Sequence, residues 1–246
     1  MATGSGRIHI GTSGWVYPHW RGPFYPDDLA SADWLGFYAE RFGSVEINNS
    51  FYRLPSTETL RQWCDTVPAE FRFAVKASRY ITHMKKLRDP KASVARLFER
   101  IAVLGERTGP VLFQVPPRWH RDEERLDRFL GELSSDYRYA FEFRDHSWLD
   151  ERTYERLARH GAALCIYELD GFLSPKEITT NFVYIRLHGP GGAYQGSYDA
   201  QTLAGWAGAI STWSRQGNAV WCYFGNDQEG FAARDATRLD AMLTHD

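Results

Sequence analysis

Ionisable side chains stand inside runs that otherwise read as buried strands. In FVYIRLHGPGG (182–192), Arg186 and His188 share a face with Tyr184, while Val183, Ile185 and Leu187 point the other way. The same two-residue spacing sets Glu46 and Asn48 in SVEINNS, Lys76 in FRFAVKA, Gln114 in PVLFQVP, and Glu142 and Arg144 in YAFEFRD opposite an apolar set. Arg offers a planar bidentate fork and Lys a point charge, so Lys76, Arg144 and Arg186, with His188, suit a phosphate or carboxylate. Glu46 and Glu142 suit general acid–base work, with His188 assisting. A carboxylate pair would also serve a glycosidase, if the separation allowed it. Glu46, Glu142, His188 and Asp227 are the alternative ligand set for a divalent cation, which three neighbouring cations oppose. Lys76 is an alternative Schiff-base lysine, against which stands simple pairing with Glu46 or Glu142.

These residues need a scaffold. Eight β-rich runs, at 7–13, 44–50, 71–77, 110–116, 139–145, 162–168, 182–188 and 219–226, are usually separated by helical patterns. Ser31 is expected to cap the first helix, and Asp89 to cap another that has Pro90 at its first position. Gly161 and Gly217 stand where helices should end. Strand–helix alternation repeated eight times in 246 residues predicts an α/β chain, a single (β/α)8 TIM-like barrel domain over 1–246. A doubly wound open sheet is the alternative. Between the sixth and seventh runs lies only ELDGFLSPKEITTN, so the outer helix there is expected to be short or missing. Ser174, Pro175 and Glu177 would start one helical turn in it.

In such a barrel one parity faces inward, and the polar inward residues fall in the C-terminal halves of their strands, where barrel active sites form. Isolated charges there would cost several kcal/mol each unless paired or hydrated. Both signs are present, so a mutually neutralising cluster open to solvent is expected; a salt-bridge network that merely plugs the barrel is the bland alternative. After the strands come aromatics: Trp15, Tyr17 and Trp20, then Phe51 and Tyr52, Tyr80, Trp148, Tyr194 and Tyr198. About two thirds of these should be packing; the rest would stack on a ligand, with Trp15, Tyr17, Tyr52, Trp148 and Tyr194 as candidates. His83 and His146 lie in loops, where a lone His is more often a surface residue. Gly189, Gly191 and Gly192 offer backbone N–H groups after the seventh run, and Asn226 and Asp227 end the eighth.

Net charge is −2, which argues against a broad basic face for nucleic acid. The three cysteines, Cys64, Cys165 and Cys222, are far apart in apolar contexts and read as reduced core thiols. No signal peptide or long apolar run is evident, so the expected location is cytoplasmic, with no membrane partner. No Walker loop, HExxH or GxSxG occurs, which disfavours nucleotide-dependent phosphoryl transfer and serine hydrolysis.

GTSGWVYPHWRGPFYP, VEINNSFYRLP, FAVKASRYITH, VLFQVPP, FEFRDHSW, YIRLHGPGGAYQGSY and YFGNDQEGFAARDA, in this order, resemble the YecE-like family, domain of unknown function 72. The resemblance runs over about residues 8–243 and implies a TIM-like barrel without assigning a reaction. Relatives carry Asn-Asn-Asp where this chain has Gly225-Asn226-Asp227. The expected function is that of a hydrolase- or lyase-type enzyme using general acid–base chemistry on a small anionic, phosphorylated or sugar-like substrate. Glu46, Glu142, His188 and Lys76 are its catalytic candidates. Arg144, Arg186, Asn48, Gln114, the five aromatics, Asn226 and Asp227 are its binding candidates. No cofactor is expected, with a divalent metal as the alternative. A nucleotide or single-stranded nucleic-acid binding module and a non-catalytic scaffold are the remaining alternatives.

Overall fold

The computed structural model describes residues 4–243. All eight expected strands form: β1 (Ile8–Thr12), β2 (Ser44–Ile47), β3 (Arg72–Lys76), β4 (Thr108–Val115), β5 (Tyr139–Phe143), β6 (Ala163–Leu169), β8 (Phe182–Leu187) and β9 (Ala219–Phe224). A two-residue strand, β7 (Phe172–Leu173), pairs antiparallel with β6. The hydrogen-bonded order is β1-β9-β8-β6-β5-β4-β3-β2, and a parallel bridge from Ser13 to Glu46 joins its two ends. This is the strand order of a (β/α)8 TIM-like barrel.

Helices follow most strands: α1 (Trp34–Ala39), α2 (Thr57–Thr66), α3 (Pro90–Ile101), α4 (Glu123–Gly131), α5 (Glu151–Arg159), α6 (Ala200–Arg215) and α7 (Phe231–Leu243). Side-chain oxygens of Ser56, Asp122, Asp150 and Asp199 accept from backbone N–H groups and cap α2, α4, α5 and α6. Gly161 and Gly217, at φ 63° and 90°, follow the ends of α5 and α6 as expected.

Three local expectations are corrected. Ser31 opens a 3-10 turn instead of capping α1. Asp89 does precede Pro90 at the start of α3, but it sits in the left-handed region and its side chain makes no capping bond. Ser174, Pro175 and Glu177 begin no helical turn; the Ser174 hydroxyl accepts from the Tyr167 N–H, and the β6–β7 hairpin uses up the chain a helix would need.

The chain forms two compact units. Among the described residues the first comprises 4–46, Ile166–Ser174 and 181–243; the second comprises Ile47–Cys165 and Pro175–Thr180. In the first, β1 and β8 flank β9 in parallel, and α6 and α7 pack beside them. In the second, β4 runs between β3 and β5, and the start of β6 pairs with β5. The apolar parity packs as expected: Val45, Ile185 and Leu187 in the first unit and Phe73, Val75, Phe141 and Phe143 in the second are buried. Each such side chain contributes about 1.5–3 kcal/mol on burial.

Candidate functional site

In the first unit the opposite parity carries a closed polar cluster. Glu46 is fully buried and Arg186 is 2% exposed. One Glu46 oxygen accepts from the Arg186 guanidinium at 2.8 Å and from the Ser13 hydroxyl, and the other accepts from Tyr184 Oη at 2.7 Å. Arg186 also donates to Ser13 Oγ at 3.0 Å. Burial first, and then the Glu46 carboxylate, hold the Tyr184 hydroxyl well above the ordinary phenol range, so it remains a donor. Tyr223 extends the layer, with its hydroxyl 2.6 Å from Ser44 Oγ and its ring 5.4 Å from that of Tyr184. The face of β9 that carries Trp221 and Tyr223 is aromatic, with Trp221 stacked on His9 at 3.8 Å.

Beyond β8 the chain turns back on itself. His188 is buried, its N–H donates to the Glu168 carbonyl, and its ring meets the edge of Tyr194. Gly189 has φ 106°, and a Cβ there would overlap the Gln195 carbonyl oxygen, so only glycine fits. Asp235 on α7 fastens this loop: its carboxylate accepts from Ser197 Oγ, Tyr198 N–H, Asn226 Nδ2 and Arg238 Nη1. Asn226 is thus buried and tied to Asp235 and to the Gly196 carbonyl. Asp227, whose carboxyl burial pushes above the usual range, lies 3.5 Å from His19. Asp227 and Tyr194 line an open cavity of about 870 Å³.

The second unit holds a different constellation, at the C-terminal ends of β3 and β5. Glu142 is fully buried and pairs with Arg144 two residues along, as the shared strand face requires. Cys165 Sγ lies 3.8 Å from the other Glu142 oxygen. Lys76 is 8% exposed, with its ammonium 4.3 Å from the Phe51 ring centroid, a cation–π contact. Phe51 in turn meets His83 edge-on at 4.9 Å. His83 belongs to a π-helical turn, Tyr80–Met84, a distortion frequent at functional sites. Burial, then Lys76, Arg79 and Arg144, lower its pKa, while Glu142 acts the other way. Thr82 Oγ1 lies 2.9 Å from its Nδ1. As a loop histidine His83 carries no periodic signal in the sequence; the π turn sets its ring against Phe51.

The sequence-derived candidates thus divide. Glu46 and Arg186 meet in the first unit, and Glu142 and Arg144 in the second. Gln114 is half-buried on β4, in register with Glu142. Asn48 is half-buried, and its carbonyl accepts from the Phe51 N–H in the turn after β2. Of the aromatics, Trp15 and Trp148 correct the expectation of stacking: both are buried, and Trp148 donates to the Trp119 carbonyl and stacks on Phe143. Tyr17 is half-buried and donates to the Ser13 carbonyl. Tyr52 and Tyr194 are exposed. Among the described residues, no three His, Cys, Asp or Glu side chains gather as metal ligands would, and no helix is long and apolar enough to cross a membrane.

The lowered pKa of His83 links to stability. The unfolded imidazole titrates near 6.5 and the folded one lower. As pH falls through that interval the unfolded chain binds the extra proton first, so stability drops. Urea midpoints are therefore expected to fall less between pH 7 and pH 5 in His83→Gln than in the parent. Equal slopes would mean that His83 is not held neutral by its surroundings.

A (β/α)8 barrel with ion pairs buried along its strands and ionisable side chains at their C-terminal ends defines the class of protein. The family model described as "Protein of unknown function DUF72" matches residues 9–246. UPF0759 protein YunF of Bacillus subtilis is 24% identical over 275 residues, covering 96% of this chain and 94% of that protein. The crystal structure of a DUF72 family protein from Thermotoga maritima superposes with a TM-score of 0.87 at 29% identity, covering 97% of this chain and 99% of that one. A DUF72 family protein from Enterococcus faecalis has the same fold, with a TM-score of 0.81 at 18% identity, covering 96% of this chain and 95% of that one. The chain belongs to the DUF72 family.

Proposed function

We propose that the protein is an enzyme of hydrolase or lyase type, acting on a small anionic, phosphorylated or sugar-like substrate at the ends of β3 and β5. Lys76 and Arg144 hold the anion. His83, neutral at pH 7, takes a proton, and Glu142, beside Arg144, is the second proton-transfer group. The carrying observation is the half-buried His83 imidazole set edge-on to Phe51, whose own ring carries the Lys76 ammonium, where burial and then Lys76, Arg79 and Arg144 lower its pKa. The potential that disfavours a proton on His83 favours a negative group beside it.

The reading requires that an anion bound there raise the His83 pKa. The test follows the His83 ring by NMR through a pH titration, with and without inorganic phosphate, alongside a turnover screen of phosphorylated and sugar substrates. An upward shift with phosphate, and turnover that falls in Glu142→Gln and His83→Gln by about 10²-fold or more, support it. No shift and no turnover would remove the proposal.

A further inference from the structure

We propose that the second unit carries a separate anion-binding cavity, between the turn before α2, the π-helical turn and α3, whose ligand is a small, multiply charged phosphorylated molecule. The cavity holds about 640 Å³, and Arg53, Lys85, Arg96 and Arg100 line it with no carboxylate among the lining residues. That volume is in the range of small-molecule pockets.

Arg96 and Arg100 are four residues apart on α3, so they share a helix face and repel one another. Lys85 and Arg53 add like charge from two other segments. The acid beside Lys85 is Asp89, at 3.9 Å, and its side chain is 88% exposed, so it offsets little of that repulsion. Four cations from three segments around one cavity make a concave positive surface that a polyanion would match. Arg forks match phosphate oxygens bidentately. Buried Ile81 and Leu97 give the cavity an apolar wall, and half-exposed Tyr80 offers a ring at its edge. These features suit a compact organic phosphate better than an extended strand. None of the groups assigned above to proton transfer lines the cavity, so the two sites can fail separately.

Calorimetric titration of the whole protein with inorganic pyrophosphate tests this. Saturable binding is expected in the parent and in His83→Gln. In Arg96→Ala/Arg100→Ala it should be weaker by about tenfold or more, the loss of at least one charge-assisted contact. Arg53→Ala, in an exposed turn, serves if the double variant does not fold. Three outcomes overturn the proposal: no binding at millimolar pyrophosphate, equal affinity in the arginine variants, or binding lost in His83→Gln alone. A short oligothymidylate that binds more tightly than pyrophosphate, with steep salt dependence, would also overturn it in favour of single-stranded nucleic acid.

Discussion

Arg186→Met is expected to cost about 3–5 kcal/mol of stability, because it leaves the Glu46 carboxylate fully buried without its guanidinium. Methionine keeps much of the side-chain length, so the loss reports charge more than volume. Tyr184 and Ser13 would still donate to Glu46, but two neutral hydroxyls do not replace the charge. Glu46→Gln in the same chain should recover part of the loss, since no uncompensated charge then remains. Urea unfolding of the parent, both single variants and the double variant closes the cycle. A coupling near zero would show that the pair does not act as a unit. An unchanged Arg186→Met midpoint would free Arg186 for a role in ligand binding instead of support.

Asp235→Ala should be nearly as damaging, on the order of 3 kcal/mol. Asp235 is fully buried, and its two oxygens accept four hydrogen bonds, so the truncation strands the Tyr198 N–H away from water and leaves the Asn226 amide only the Gly196 carbonyl. Its more diagnostic effect is local. The segment from Gly189 to Tyr198 is held by Asp235 at Ser197 and Tyr198, and Tyr198 Oη accepts from the Gly189 N–H. Amide exchange in that segment should accelerate well beyond what the global loss predicts. Exchange that rises uniformly across the chain would mean that Asp235 supports packing and does not fasten the loop. Asp235→Asn is expected to fall between, because its amide oxygen can still accept while its NH2 faces donors.

The elements that carry these side chains were legible because two periods are strong. β-rich runs marked all eight main strands, and alternation at two residues fixed the parity of four of them, since a strand with one face under helices must be apolar at every second position. It also placed Glu46, Arg186, Glu142 and Lys76 on the face away from the helices, and all four are buried. The helix α2 carries the same kind of signal, with Leu60, Trp63 and Cys64 at helical spacing behind the Ser56 cap. Capping failed as a guide at Ser31 and Asp89, where the chain enters through a 3-10 turn or a left-handed residue and the side-chain oxygen points elsewhere.

Parity names a face, but it does not name a partner. Glu142 and Arg144 are two residues apart, so their pairing follows from the strand itself. Glu46 and Arg186 are 140 positions apart, and their meeting depends on strand order and register. The aromatic set shows the same division. Trp148 and Tyr52 both follow strands, yet one is closed in by Phe143 and Trp119 and the other lies open. The amino-acid sequence by itself determined the barrel, its alternating faces and the types of chemistry available. The tertiary structure alone decided which charges neutralise each other, which rings stay exposed, and that four cations from three segments line one cavity with no carboxylate in its wall. Periodicity is a local property of the chain, whereas pairing and exposure depend on residues far away in it.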